Sequence, residues 1–191
     1  MSSPVWSLPT VVRVSGREYP VNADYRDILD IITRLDDPDT PAFERAPLAL
    51  ALFYVEQPPA ELAEEALAAM FRFINVGEEP KQGGPRPPKR FDWEQDAAVI
   101  VADINQVAGC EVRAMPFLHW WTFVAYFNAI GRGQLSTIVA IRDKQRKGRK
   151  LEKWESEFLA ENRDRVVLKK KYTAEERAEM DAVNAMLNGE R

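Results

Sequence analysis

Apolar positions along this chain change period after about twenty residues, and the change separates a short opening from a long remainder. In "TVVRVSGREYPVN", residues 10–22, Val12 and Val14 alternate with Arg13, Ser15-Gly16 is a turn pair, and Tyr19 and Val21 resume the alternation. A period of two around such a dipeptide predicts a β-hairpin. Two strands alone are marginal in water, so Val12, Val14, Tyr19 and Val21 must rest on helices downstream.

Beyond Asp24 the period becomes helical. Tyr25, Ile28, Leu29, Ile32 and Leu35 recur on one stripe, and Pro38 stops it. Helices are predicted over about 47–54 and 59–74, the second starting with proline and early carboxylates in "PAELAEEALAAMFRFI". Residues 75–90, "NVGEEPKQGGPRPPKR", carry four prolines and three glycines and read as a loop or linker. A helix over 91–109 follows, with Trp93, Ala97, Ile100, Val101, Ile104 and Ala108 on its stripe and Gly109 at its end. Asp92, Asp96 and Asp103 project on a flank away from that stripe.

Residues 116–127, "PFLHWWTFVAYF", predict a helix apolar over most of its circumference, through Phe117, Trp120, Trp121, Phe123, Val124, Phe127 and then Ile130. His119, Thr122 and Tyr126 form its one polar strip. "LSTIVAIRDKQRKG" gives another helix, and "RKLEKWESEFLAENRDR" places Leu151, Trp154, Phe158 and Leu159 on a single face. A C-terminal helix over 173–189 opens with Thr173 and Glu176 in capping-box spacing, closes at Asn188-Gly189, and frames Met180, Val183 and Leu187. The pattern predicts a mainly α fold, one helical domain over 1–191 with a small N-terminal β-hairpin.

Composition fits that picture: 191 residues with 46% hydrophobic content supply one core of ordinary size. The formal charge of −4 is unevenly placed. Residues 1–80 hold 6 Lys+Arg against 14 Asp+Glu, whereas residues 142–171 hold 12 against 6. Solvated helix faces explain such a split, and so does a charged partner or head-to-tail self-association. Cys110 is the one cysteine, which leaves no internal disulfide and no thiolate cage within the chain. The first residues lack a basic segment followed by a long apolar one, and no run of eighteen apolar residues occurs. These features predict a soluble, unsecreted protein of a reducing cytoplasm.

Candidate chemistry is sparse. Asp92 and Asp96, with Glu94 and Asp103 near, are spaced for acid/base work or a hard metal ion. Helix termini explain them as well: Asp92 is placed to cap with Gln95 reaching back, and the other carboxylates favour the positive end of the dipole or solvent. His119 is the sole imidazole, and neither a nucleophile's activating partner nor an oxyanion loop accompanies it or Cys110. "QGGPRPP" lacks the spacing of a phosphate-binding loop. "RDKQRKGRK" and "KKKY" are basic, but intervening carboxylates dilute them and no stacking aromatics interleave, so nucleic acid is not the expected partner. The expectation is a non-enzyme with no cofactor and no metal.

From Phe91 to about Arg142 the chain resembles a family of tailed-bacteriophage proteins encoded between the major tail protein and the tape measure. The residues that carry the likeness are "FDWEQDA", with Phe91, Asp92, Gln95 and Asp96, then "LHWWTF", with His119, Trp120, Trp121 and Phe123, then "STIVAIR". The order "GREYPVN…DYRDIL" extends it toward the N-terminus. The resemblance implies a tail assembly chaperone of the host cytoplasm that binds and solubilises the long, hydrophobic tape measure protein, with other tail proteins and further copies of itself as partners and no membrane. It also implies that the matching residues are structural. The competing expectation is a structural tail or head-tail joining subunit that stays in the particle. Contact with a partner is expected through Trp154 and Phe158, then Met180, Val183 and Leu187, the apolar seams that a single small domain is least able to cover.

Overall fold

Ser15 and Gly16 both take positive φ, 47° and 80°, the geometry of a two-residue turn whose twist matches the strands it joins. The computed structural model, which describes residues 6–79 and 88–187, places β1 at Val11–Val14 and β2 at Arg17–Pro20, antiparallel with Val12 opposite Tyr19. Val14 and Tyr19 are buried. Val21 bridges to Tyr54, and the Asn22 N–H donates to the Phe53 carbonyl at 2.8 Å. The hairpin's inner face therefore lies on helices, as its size requires.

The remainder is helical: α1 Tyr25–Leu35, α2 Ala42–Phe53, α3 Ala63–Ile74, α4 Ala97–Ala108, α5 Trp120–Asn128, α6 Gln134–Arg146, α7 Lys153–Glu161, α8 Arg163–Val166 and α9 Ala174–Leu187. Single 3₁₀ turns at Ala60–Leu62 and Val112–Ala114 precede α3 and follow α4. The fold is mainly α with a minor β component. Residues 80–87 of the Pro/Gly-rich stretch, residues 188–189 of the predicted last helix and the Leu187 side chain lie outside the described residues.

Several boundaries differ from the sequence pattern, those of α2 and α4 among them. Helix α2 begins at Ala42, not near residue 47, and holds Pro47 in its interior. Proline usually marks a first turn, but here Pro41 does so and Pro47 only removes one ladder donor. Helix α4 begins at Ala97, and residues 93–96 form turns, with the Asp96 N–H donating to Asp92 O at 3.0 Å and Asp92 Oδ1 accepting from Glu94 and Gln95.

One hydrophobic cluster runs from Val14 to Val166 and has Ile28, Ile31, Phe53, Met70, Ile104, Phe123 and Ile141 fully inside it. Its chain crossing is well defined. The Tyr25 N–H donates to Leu118 O at 2.9 Å, and the Trp120 N–H donates to Ala23 O at 2.8 Å, so α1 and α5 start from a shared pair of extended residues. Asp24 caps α1 through the Arg26 N–H and also accepts from the Leu118 N–H at 3.1 Å, while Arg26 reaches the carbonyls of Met115 and Pro116. Among the described residues, none of α9 belongs to the cluster.

Candidate interaction groove

His119 does not sit on a polar helical strip with Thr122 and Tyr126. It is the N-cap of α5, outside the helix and 3% exposed. Its Nδ1 accepts the Trp121 N–H at 3.0 Å, so the ring hydrogen lies on Nε2, which is 2.8 Å from the Pro9 carbonyl and donates to it. Both ring nitrogens are engaged with backbone, leaving neither for proton transfer to a substrate. Phe117, before the helix, is exposed, so it is not part of the apolar circumference.

The neighbouring tryptophans close a different helix end. Trp120 Nε1 donates to Ile74 O at 2.8 Å and Trp121 Nε1 to Phe73 O at 2.9 Å. Helix ends leave carbonyls without internal partners; the Trp120 indole satisfies Ile74 O at the end of α3, and the Trp121 indole adds a second donor to Phe73 O, which also accepts the Val76 N–H at 3.0 Å. Phe123, 1% exposed, stacks on Tyr25 with ring centroids 4.5 Å apart.

The acidic flank of α4 is not solvated. Asp92, Asp96 and Asp103 are all buried, and each carboxylate has a defined task. Asp92 Oδ1 accepts the N–H groups of Glu94 and Gln95 at 2.8 Å each. The residue that reaches back is Asp96, accepting the Asp92 N–H at 2.9 Å, not Gln95. The Gln95 side chain instead donates to Val167 O at 2.8 Å and accepts the Lys169 N–H at 2.9 Å, pinning the segment after α8. Asp103 accepts the Leu135 N–H at 2.9 Å and so caps α6 from another helix. Gly133 makes room for it: a Cβ there would stand 2.5 Å from Asp103 Oδ2.

Asp96 also receives Arg142, which is the residue that sequence reasoning missed. Arg142 donates from Nη1 to Asp96 Oδ2 at 2.7 Å and from Nη2 to Oδ1 at 2.9 Å. Its remaining donors go to the carbonyls of Val166, Arg165 and Arg90. All five guanidinium N–H groups are thus used, and one side chain joins α4, α6, α8 and the segment before Phe91. The missed signal was spacing: Arg142 follows buried Ile138 by four residues and so shares its inward face.

Two of the resembling residues, Phe91 and Trp93, join Phe127 in an apolar groove at the surface. Phe91, Trp93 and Phe127 are mutual neighbours, with Trp93 centroids 4.9 Å from Phe91 and 5.0 Å from Phe127. Trp93 also meets buried Trp120 edge-on. Two adjoining hollows of about 540 and 420 Å³ share Ile32 and Trp93. Their apolar floor is half-buried Ile32, Ile74, Phe91, Trp93, Val124 and Phe127.

One end of the groove is charged. Lys89 bridges Asp36 and Asp92, at 2.6 Å from the latter, and Lys171 pairs with Glu94 at 2.6 Å. Burial by itself would raise the Asp92 carboxyl, but the Lys89 ammonium and the N–H groups of Gln95 and Glu94 outweigh it and hold the group at about 2. Burial likewise opposes charge on Lys89, and its two carboxylate partners raise it above the ordinary ammonium value.

A family model described as Bacteriophage Gp15 protein matches residues 6–173, from before the hairpin to the threshold of α9. The chain belongs to that family. No curated protein and no solved structure matches it. Within this Gp15-family chain, the helical body and the groove lie inside the matched span, and α9 lies beyond it.

The expected contact residues of this Gp15-family protein are dispersed. Trp154 is 55% exposed, whereas Phe158 is half-buried and packs on the core with Leu151 and Leu159. The predicted single face of α7 therefore splits, because α7 turns Phe158 inward and leaves Trp154 outside. Met180 and Val183 are exposed on α9. No group of three or more His, Cys, Asp or Glu among the described residues could hold a metal ion, and no described helix is long and apolar enough to cross a membrane.

Proposed function

We propose that this protein is a non-catalytic phage tail assembly chaperone, and that the Ile32–Trp93–Phe127 groove binds apolar helical segments of the tape measure protein in the host cytoplasm. The observation that carries the reading is the groove itself. Phe91 and Trp93, from a segment through which the chain resembles tail assembly factors, form its floor with Ile32, Ile74, Val124 and Phe127, and it presents aromatic and aliphatic surface with a charged rim at one end. Helix-in-groove recognition uses such a floor for affinity and such a rim for orientation. A catalytic role has no support from the polar groups, since His119, Asp96 and Asp103 are occupied by structural bonds.

The test is co-expression with the tape measure protein, followed by size-exclusion chromatography with light scattering. The tape measure protein is expected to be soluble only in the presence of this chain. Ile32→Glu, which places a charge on the groove floor, should cut the recovered complex about tenfold, as a loss of ~1.4 kcal/mol would. An unchanged yield would remove the groove from the interface. Purified phage particles should lack the chain; a fixed copy number in them would favour the structural-subunit reading instead.

A further inference from the structure

Among the described residues, helix α9 packs on almost nothing else. Residues 174–184 are all exposed, and its anchors are confined to the N-terminal end: the Ala174 N–H and the Arg177 guanidinium both reach Asp39. The start is well formed, since Thr173 Oγ1 accepts the Glu176 N–H at 3.1 Å while Glu176 accepts the Thr173 N–H at 2.9 Å. A 14-residue helix without tertiary packing is only marginally stable in water. Its stability therefore depends on something that covers Met180 and Val183, which lie with Tyr172 along one hollow of the helix surface.

Charge identifies the cover. Residues 174–187 contain Glu175, Glu176, Glu179 and Asp181 against one cation, Arg177. Glu176 is used in the cap and Arg177 pairs with Asp39. Glu175, Glu179 and Asp181 have no ion-pair partner among the described residues. On the opposite account, the α6–α7 connection is rich in cations. Lys144 is held by Glu155, and Arg146 and Lys147 by Asp143. That leaves Arg149 and Lys150 without an ion-pair partner among the described residues, and Lys153 only 3.9 Å from Glu157 with its side chain 92% exposed. Lys150, Leu151 and Lys153 border a hollow on α7, and exposed Trp154 stands on the same helix.

We propose that α9 of one copy docks on the α6–α7 surface of a second copy. Met180 and Val183 cover Trp154 and Leu151, while Glu175, Glu179 and Asp181 meet Arg149, Lys150 and Lys153. Donor and acceptor are different patches, so the contact is heterologous, and each copy gives one α9 and receives one. One helix face is a modest interface, and closing a ring adds further contacts without requiring new surface. This self-association uses neither the groove nor the client.

The decisive experiment takes the full chain alone and measures its mass by light scattering at about 50 mM and about 500 mM salt, where the screening length falls severalfold. Oligomers are expected at low salt, with an apparent Kd about tenfold weaker at high salt. Glu175→Lys with Glu179→Lys on α9 should give monomers, and so should Lys150→Glu with Lys153→Glu on the acceptor. Mixing those two variants should restore the oligomer, because each then offers the other a complementary arm and surface. All the substituted residues are exposed, and a circular dichroism melt matching the parent verifies that the variants fold. A full chain that is monomeric at low salt overturns the proposal. Oligomers that survive either charge reversal, or a mixture that stays monomeric, overturn it equally. If only co-purification with the tape measure protein is lost while the mass of the chain alone is unchanged, α9 serves the client and the proposal is wrong.

Discussion

Two regions of this molecule handle charge in opposite ways. Around Arg142 a cation is almost completely buried, and every donor on it has a fixed acceptor. On α9 and the α6–α7 connection, charges stand in solvent and several have no ion-pair partner among the described residues. A buried charge is tolerated only when paired and hydrogen-bonded, so the first arrangement must be structural. Exposed charges contribute little to stability, and their arrangement is free to serve recognition. The difference separates the residues that hold the fold from those available to partners.

The largest effect expected from breaking this contrast is at Arg142. Arg142→Met removes the guanidinium but keeps an apolar stem, leaving the Asp96 carboxylate and three carbonyls without their donor. Loss of one partner from a buried pair costs about 3–5 kcal/mol. Urea denaturation should show that loss, and Asp96→Asn in the same chain should recover part of it, because the uncompensated charge is then gone. A loss below about 1 kcal/mol would mean that the node is no more than a surface ion pair.

Asp92 gives a smaller effect, read as a pH dependence. Its carboxyl is held at about 2 in the folded protein against an ordinary 3.8, so the folded state binds the proton less readily than the unfolded chain. The associated stability is complete above the unfolded value and is lost as pH falls through the folded one, a window from about pH 4 to about pH 2. Urea midpoints across that window should fall more steeply in the parent than in Asp92→Asn. Equal slopes would place the Lys89–Asp92 bridge among the exposed, inconsequential pairs.

How much of this was legible in the sequence depended on whether a residue's partner was local. The hairpin, α1 and the α9 capping box follow from residues a few positions apart, and Ser15-Gly16 and Thr173/Glu176 stand where their spacing indicates. The acidic flank was misread because its partners are remote: Asp103 caps a helix 32 residues away, and Asp96 pairs with Arg142 at a separation of 46. A helical projection assigns any carboxylate off the apolar stripe to solvent, and only tertiary packing reveals a buried cation or an uncapped helix end facing it. His119 was misplaced for a related reason. Its capping bond to the Trp121 N–H is local, but the Nε2 contact with Pro9 O and the bridge to Asp24 that fix the residue as extended are long-range and have no local signature. The groove shows the same limit, since Ile32 and Phe127 come to Trp93 from separate helices.

The smallest effect is the one that most sharpens the comparison. Removing residues 174–191 deletes an element whose described residues share nothing with the core and are anchored chiefly through Asp39. If α9 is a recognition element, the body should keep its stability within about 0.5 kcal/mol, the usual range for surface changes away from packed features. Trp154→Ser should behave the same way, because that ring is 55% exposed, whereas Phe158→Ser on the same helix opens a half-buried contact and should cost more. The order of urea midpoints for these three chains therefore tests the division directly. If the truncated chain or Trp154→Ser melts well below Phe158→Ser, the exposed region helps to hold the fold, and the separation between structural and recognition charges fails at α9.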